Sequence, residues 1–152
     1  MATGDADALF LDTNVLVYAN VADAPLHAEA LEAIQARHRS GMALWTSRQV
    51  LREYLAALSR PQTFTRPRPV TTRVERVRYF ESRFRVAEDG PQVTTQLRAL
   101  MEQAPVGGKQ VHDANIVATM LVYGVRRLLT ANPSDFARFA ALVTVAPLVA
   151  ST

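Results

Sequence analysis

The 152-residue sequence contains no cysteine, three histidines and a single lysine. Without cysteine, neither a disulfide framework nor a thiolate-ligated metal site is available. Long hydrophobic runs are absent as well, and the apolar stretch near the N-terminus is too short for a signal peptide or a membrane span. We therefore expect a cytoplasmic protein that does not associate with a membrane.

What is present indicates one globular domain. Hydrophobic residues make up 49% of the chain and charged residues 20%, a composition that favours a packed core over disorder. A chain of this length can bury such a core without covalent support. We predict a flexible N-terminal tail at residues 1–7 and a single domain at residues 8–149, with no internal repeat.

The pattern of apolar residues alternates between short strands and amphipathic helices. We expect strands at residues 8–12, 42–46, 85–88, 126–131 and 142–147. We expect helices at residues 25–41, 47–60, 71–84, 91–103 and 112–124, a short helix at 133–139, and a proline-rich loop at 61–70. Strands alternating with helices predict an α/β fold with a mainly parallel sheet and helices on both faces.

Polar residues follow two of the predicted strands. Asp12 ends the first apolar strand, and Thr130, Asn132 and Asp135 follow the strand at 126–131. Ligands of open parallel sheets bind outside the carboxyl ends of the strands, so these groups are expected at one edge.

Two helices carry carboxylates in unusual positions. Glu53 borders the apolar stripe of its helix, and Asp113 shares the helix face of Val117 and Met120, which should be buried. A carboxylate there is costly unless it is paired or binds a cation. Each acid alone also has a structural explanation, since Asp113 lies in the first turn of its helix, where the helix dipole favours an anion.

The ordered motifs "LFLDTNVLVY", "SRQVLREYL", "VHDANIVATML" and "LLTANPSDF" resemble a PIN domain, in particular the VapC-type toxin ribonucleases of bacterial toxin–antitoxin modules. The resemblance extends from the first strand to the last helix. It implies a three-layer α/β/α fold and an Mg²⁺- or Mn²⁺-dependent endoribonuclease that leaves a 5′-phosphate and a 3′-hydroxyl.

By this resemblance, Asp12, Glu53 and Asp113 correspond to the acids that hold the metal. The family often has a further aspartate after the last catalytic strand, where this chain has Asn132, with Asp135 three residues later. This departure leaves open whether one or two ions bind, and whether Asp135 is a ligand. The supporting positions correspond to Thr13, Asn14 and Thr130. Oxygen ligands of this kind suit Mg²⁺ or Mn²⁺ better than Zn²⁺.

The resemblance also implies partners: an RNA substrate, a VapB-like antitoxin and a second copy of the chain in a homodimer. The basic residues are concentrated between residues 60 and 85, a segment that contains eight arginines and only two acidic residues, both glutamate. Within this cluster, Arg73, Arg76 and Arg78 are predicted to contact RNA or the antitoxin. A solvated helix face is the simpler explanation of the same pattern.

Two other interpretations remain open. A PIN-like module could bind RNA or a protein without cutting, although all three acids are present. A haloacid-dehalogenase-type phosphatase also begins with an aspartate after its first strand, but it requires a second aspartate where this chain has Asn14, and its lysine could only be Lys109.

Overall fold

In the computed structural model, which describes residues 7–149, five strands form one sheet surrounded by six α-helices and one 3₁₀ helix. The strands are β1 (Leu9–Leu11), β2 (Leu44–Ser47), β3 (Arg85–Ala87), β4 (Arg127–Thr130) and β5 (Thr144–Pro147). The α-helices are α1 (Thr13–Asn20), α2 (His27–Ser40), α3 (Arg48–Ala57), α4 (Val70–Arg83), α5 (Pro91–Gln103) and α6 (Gln110–Tyr123), and the 3₁₀ helix is Pro133–Phe139.

The sheet has the order β3-β2-β1-β4-β5, and every pair of neighbours is parallel. The chain therefore moves outward in one direction from β1 to β3 and returns to the other side of β1 with β4. The predicted α/β class with a parallel sheet is confirmed. Such a reversal places a crevice between β1 and β4, outside their carboxyl ends.

The handedness of the connections assigns the helices to two layers. Parallel strands are joined by right-handed crossovers, so the helices between β1 and β3 lie on one face and those after β3 lie on the other. The helix packing agrees: α1 packs against α2 and α3, whereas α5 packs against α6 and α6 contacts the 3₁₀ helix. The fold is thus the predicted three-layer α/β/α arrangement.

Both faces of the central strand are covered by large apolar side chains. All three residues of β1 are at most 1% exposed, as expected for a continuously apolar strand in a parallel sheet. On the first face, the Tyr54 and Phe80 rings meet edge to face with centroids 5.0 Å apart, and Phe80 stacks on Phe84 at 5.7 Å. Full burial of a large apolar side chain stabilises the fold by roughly 1.5–3 kcal/mol, so this aromatic cluster fixes α3 and α4 on the sheet.

Single residues determine where α3 begins and where α6 ends. The hydroxyl of Ser47 accepts a hydrogen bond from the Val50 amide at 3.2 Å and begins α3, as predicted. Gly124 ends α6 with φ 73°, a left-handed conformation that glycine adopts without strain. These two ends set the positions of the helices that carry Glu53 and Asp113.

The structure differs from the predicted elements in two respects. The segment after Asp12 forms α1, although no helix was predicted there; the short helix predicted at 133–139 is confirmed, with 3₁₀ geometry. The boundaries of the other elements shift by a few residues, most at the end of α3, which stops at Ala57 instead of residue 60. The predicted tail at residues 1–7 lies, apart from Asp7, outside the described residues. Among the residues that are described, no helix has the length and apolarity needed to cross a membrane.

Candidate active site

Asp12 lies directly after β1 and is the most buried acid of the crevice, with 7% of its surface exposed. Its Oδ1 accepts a hydrogen bond from the Thr13 amide at 2.8 Å, so it also caps the N-terminus of α1. Its Oδ2 accepts from the Thr130 hydroxyl at 2.7 Å and from the Asn14 side-chain amide at 3.3 Å. These donors keep a single buried carboxylate at a fixed place on the sheet edge.

The hydrogen bonds of Asn14 and Thr130 join the ends of β1 and β4. Asn14 Oδ1 accepts from the Ala131 amide at 3.1 Å, and the Thr130 hydroxyl accepts from the Asn132 amide at 3.0 Å. Asn14 and Thr130 were predicted to support Asp12, and the structure places both in contact with it. The backbone that presents Asn132 is thereby tied to Asp12.

Glu53 is held at both of its carboxylate oxygens. Oε1 accepts from the Thr13 hydroxyl at 2.7 Å, and Oε2 accepts from the Gln49 side-chain amide at 3.1 Å. The Gln49 amide nitrogen also donates to the His112 carbonyl at 2.9 Å, while its oxygen accepts from Asn115 at 2.8 Å. Gln49 therefore connects α3 to α6. Gln49 was not predicted as a site residue, because nothing in its local sequence pattern distinguishes it from a surface glutamine.

The acids line a cleft with two adjoining recesses, of about 950 Å³ and about 270 Å³. Asp113 and Asp135 line both recesses, Glu53 lines the larger one, and Asp12 and Asn132 line the smaller one. The five predicted catalytic positions are therefore brought together from the end of β1, from α3 and α6, and from the segment after β4.

Burial and mutual repulsion raise the pKa of two of these acids. The pKa of Asp12 rises to about 6, first because burial disfavours its charge and further because Glu53 and Asp135 are nearby anions, although Thr130 and the Thr13 amide oppose the rise. The pKa of Asp113 rises to about 6, first through desolvation and then through repulsion by Asp12, Asp135 and Glu53. The four carboxylates thus form one electrostatically coupled group, and a cation would relieve the repulsion.

The chemistry of this donor set fits a hard divalent cation such as Mg²⁺ or Mn²⁺. Its present side-chain positions fit less well: among residues 7–149, no three histidine, aspartate or glutamate side chains are arranged to hold one ion together. Glu53 accepts one hydrogen bond at each carboxylate oxygen, from Thr13 and Gln49, and each oxygen keeps a second lone pair that can bind an ion. Binding one ion would therefore require the carboxylates to draw closer together, but Glu53 could keep both of these partners.

Three basic side chains line the larger recess, Arg52, Arg60 and Lys109, and none of them was among the predicted RNA or antitoxin contacts. The predicted contacts, Arg73, Arg76 and Arg78, lie on α4 and line neither recess. Of these, Arg73 donates to the Arg68 carbonyl at 2.9 Å and Arg76 lies 4.7 Å from the Tyr79 ring centroid, while Arg78 is exposed. Arg60 begins the basic cluster at residues 60–85, whereas Arg52 and Lys109 lie outside it, so the local charge pattern indicates only one of the three cations.

Comparison with known proteins places the chain in a family. The PIN domain profile matches residues 9–142. No curated protein is similar enough in sequence to count as a relative. Among solved structures, the chain is similar to a toxin–antitoxin complex from Klebsiella pneumoniae, with 21% identity, a TM-score of 0.64, and coverage of 95% of this chain and 99% of that one.

Two further structures have the same fold. VapBC2 from Rickettsia felis, bound to a promoter DNA fragment, is 19% identical with a TM-score of 0.65, and the match covers 92% of this chain and 98% of that one. The sarcin–ricin-loop-cleaving toxin VapC20 from Mycobacterium tuberculosis is 18% identical with a TM-score of 0.59, covering 79% and 86%. Together with the profile match over most of its length, the α/β/α fold and the acidic cleft at the edge of its sheet, this shows that the chain belongs to the PIN domain family.

Proposed function

We propose that this protein is a VapC-type toxin, an Mg²⁺- or Mn²⁺-dependent endoribonuclease that a cognate antitoxin neutralises. The observation that carries the proposal is the cleft itself. Four coupled carboxylates occupy its centre, and Arg52, Arg60 and Lys109 line its larger recess. A polyanion is held by such cations, while the carboxylates surround the reacting phosphate only if a metal ion compensates their charge.

The reaction we propose is hydrolysis of a phosphodiester bond. A water oxygen forms a bond to phosphorus, the bond from phosphorus to the 3′-oxygen breaks, and the products carry a 5′-phosphate and a 3′-hydroxyl. When bound, a divalent ion lowers the pKa of a coordinated water and offsets charge on the phosphate. Asp12, Glu53, Asp113 and Asp135 are the residues that would hold it. Thr13, Asn14 and Thr130 orient Asp12 and Glu53 through the hydrogen bonds described above.

The structural neighbours support the partners in this proposal. Their names describe toxin–antitoxin complexes from several bacteria, and one neighbour is named as a toxin that cleaves the sarcin–ricin loop. We propose the same arrangement here: a cytoplasmic toxin, a VapB-like antitoxin partner and a toxin homodimer. As substrate class we propose single-stranded regions of cellular RNA.

The proposal is tested by incubating structured RNA with the purified protein in Mg²⁺, Mn²⁺ or excess chelator and mapping the ends of the products. Cleavage should require metal and should disappear in Asp12→Asn, Glu53→Gln and Asp113→Asn. Asp23→Asn and Glu75→Gln are matched controls, since both acids are exposed and line neither recess. Circular dichroism should show that all five variants remain folded. Cleavage that persists in chelator, or in a folded Asp113→Asn variant, would contradict the metal site.

One observation favours a second candidate, a PIN-like module that binds RNA or protein without cutting. Among residues 7–149, the acids are not positioned to hold one ion together. The same experiment separates the two functions. A non-cutting module would bind RNA with a salt-dependent affinity and release no product at any Mn²⁺ concentration.

A further inference from the structure

We propose that the smaller recess of the cleft is a base-binding subsite, which receives one unpaired nucleobase of the RNA next to the bond that is cut. The inference rests on the proposed function and deepens it, because it specifies the substrate as a single-stranded or looped region. It is carried by two aromatic rings beside the acids, by the rigidity of the loop that supplies one of them, and by the distribution of charge along the cleft.

Two aromatic side chains and three carboxylates are among the residues that line this recess. Tyr18 of α1 and Phe64 of the loop between α3 and α4 line it together, with ring centroids 5.9 Å apart and planes at 78°. Both side chains are half-buried, so each packs on the core while part of it faces the cleft. Aromatic rings of this kind are what single-stranded RNA bases stack on, with little dependence on sequence.

The loop that carries Phe64 is held in one conformation by hydrogen bonds. Gln62 and Thr65 form an antiparallel bridge, with hydrogen bonds of 3.0 and 3.4 Å between their backbone groups. The Gln62 side chain donates to the Ala57 carbonyl at 2.7 Å and fixes this turn to the end of α3. The backbone of Tyr18 is also held, since His27 Nδ1 lies 2.7 Å from the Tyr18 carbonyl. A preformed recess lowers the ordering cost of binding its ligand.

Its size and contents suit one base. The recess volume of about 270 Å³ lies just below the roughly 300–1,000 Å³ of typical small-ligand pockets, a size that accommodates a single nucleobase. Asn132 and Gln62 line the recess as well and offer amide groups to the polar edge of a base. The carboxylates of this recess, Asp12, Asp113 and Asp135, are among those proposed to hold the metal ion beside the reacting phosphate, so the base is assigned to the part that Tyr18 and Phe64 line.

Charge along the cleft sets the path of the strand. Arg52, Arg60 and Lys109 line the larger recess, and Asp113 and Asp135 line both. A strand whose phosphates follow the cations therefore crosses the carboxylates before it reaches Tyr18 and Phe64. A base there must be unstacked from its neighbour, which a loop permits readily and a duplex resists.

The test compares two RNA strands of equal charge, a 12-nucleotide uridylate and an abasic ribose-phosphate strand of the same length. Binding to the wild-type protein is measured by fluorescence anisotropy with Ca²⁺ in place of Mg²⁺ or Mn²⁺, so that a divalent ion can offset the charge of the carboxylates, and electrophoresis checks that neither strand is cut. Wild type should favour the uridylate roughly five- to hundredfold, the range expected for one stacked base. Phe64→Leu and Tyr18→Leu should lose most of this preference while keeping the salt dependence of binding, because the phosphate contacts remain.

Tyr79→Leu is the matched control, since Tyr79 is an exposed aromatic residue of α4 that lines neither recess. It should keep the wild-type preference. Phe64→Tyr should restore what Phe64→Leu loses, which guards against a variant that merely misfolds. A preference that survives in a folded Phe64→Leu variant would refute the subsite.

The outcomes also separate this inference from the proposed function. If the wild-type protein cuts RNA with Mn²⁺ but binds the uridylate and abasic strands equally, the subsite is wrong and the nuclease stands. The recess would then be available to another ligand, such as an aromatic side chain of a partner protein. If the protein neither cuts nor binds RNA, the proposed function fails, and the subsite fails with it.

Discussion

Gln49 illustrates how a buried amide can define the position of a charged neighbour. It is only 5% exposed, and all of its hydrogen bonds are made inside the protein, to Glu53, the His112 carbonyl and Asn115. Because Glu53 lies on α3 and Asp113 lies one residue beyond His112 on α6, this amide also sets the separation of two acids. We infer that Gln49 is a positioning residue of the cleft.

We expect Gln49→Met to weaken apparent Mn²⁺ affinity for RNA cleavage by about 10- to 100-fold, the usual cost of losing a partner behind a metal ligand. Methionine fills a similar volume but leaves Glu53 and the His112 carbonyl without their donor. Gln35→Met, at an exposed position of α2, is the control. The measurement is cleavage rate against Mn²⁺ concentration. A lower melting temperature with an unchanged half-saturating Mn²⁺ concentration would reduce Gln49 to a purely structural role.

Asp113→Asn distinguishes a metal ligand from a carboxylate that only begins a helix. Repulsion by Asp12, Asp135 and Glu53 contributes to its raised pKa, so neutralisation should relieve strain. We expect the melting temperature of the metal-free variant to rise and its stabilisation by Mn²⁺ to vanish. A helix-start role predicts the reverse: a loss of 0.3–1 kcal/mol from the helix dipole and an intact Mn²⁺ response. Thermal-shift series on the two proteins decide between them.

The acids of the cleft were predictable because each breaks a local rule. Asp12 ends an apolar strand and Asp113 lies on an apolar helix face, so both are conspicuous in sequence. Phe64, Tyr18 and Gln49 gave no comparable signal: Tyr18 lies among apolar neighbours, Phe64 is a single aromatic residue in a proline-rich loop, and Gln49 is an ordinary polar residue in a helix. Their roles depend on tertiary proximity, which spacing along the chain does not encode.

At the scale of elements, the helices predicted from 3.6-residue periodicity are confirmed, whereas α1 was not predicted. The segment Thr13–Asn20 has two valines and no charged residue, and four of its eight residues are buried. It therefore shows neither helical amphipathicity nor strand alternation. Its helical start is set by Asp12, whose side chain accepts from the Thr13 amide. The residue that indicated a metal site is also the cap that the prediction overlooked.

The elements that supply positive charge give a prediction about RNA binding. Arg60→Gln combined with Lys109→Gln should lower the slope of log affinity against log salt by about 1.4, or roughly 0.7 for each lost single-strand phosphate contact. Replacing Arg73, Arg76 and Arg78 of α4 by glutamine should leave that slope unchanged, because these residues line neither recess. The measurement is RNA affinity at several salt concentrations without divalent metal.

The opposite result, with the slope lowered only by the α4 substitutions, would extend the RNA path onto that helix and restore the contact predicted from sequence. An unchanged slope together with weaker antitoxin binding would assign α4 to the partner. Arg73 and Arg76 are already engaged within the protein, so Arg78→Gln alone tests the exposed part of this face.

At the scale of the whole molecule, the distribution of charge matters more than its sum. The chain carries a formal net charge of +3, yet four acids surround one cleft at the switch point of the sheet. The parallel topology requires this, since only the carboxyl ends of β1 and β4 and the adjacent helices meet there. The fold therefore concentrates unfavourable charge where function needs it, and its stability should depend on pH and metal together.

The metal-free protein should become more stable as the pH falls from 7 to 5. Asp12 has a pKa of about 6 in the folded protein against an ordinary value of 3.8, so the folded state binds a proton in this range that the unfolded chain does not. Its contribution is complete below the unfolded pKa and is lost as the pH rises through 6. Between pH 7 and 5 it amounts to about 1 kcal/mol, and Asp113, whose pKa also rises to about 6, acts in the same direction.

Saturating Mn²⁺ should reverse this trend, because protons and the cation compete for the same carboxylates. The measurement is urea unfolding at pH 5, 6 and 7, with and without Mn²⁺. A change in midpoint at constant slope identifies an effect on stability. Asp12→Asn should abolish most of the metal-free rise, while Asp23→Asn, at an exposed position outside the cleft, should retain it. If the wild-type protein instead loses stability between pH 7 and 5 without metal, the coupled carboxylates are not the groups that govern its stability, and the charge argument for a cation in this cleft fails with them.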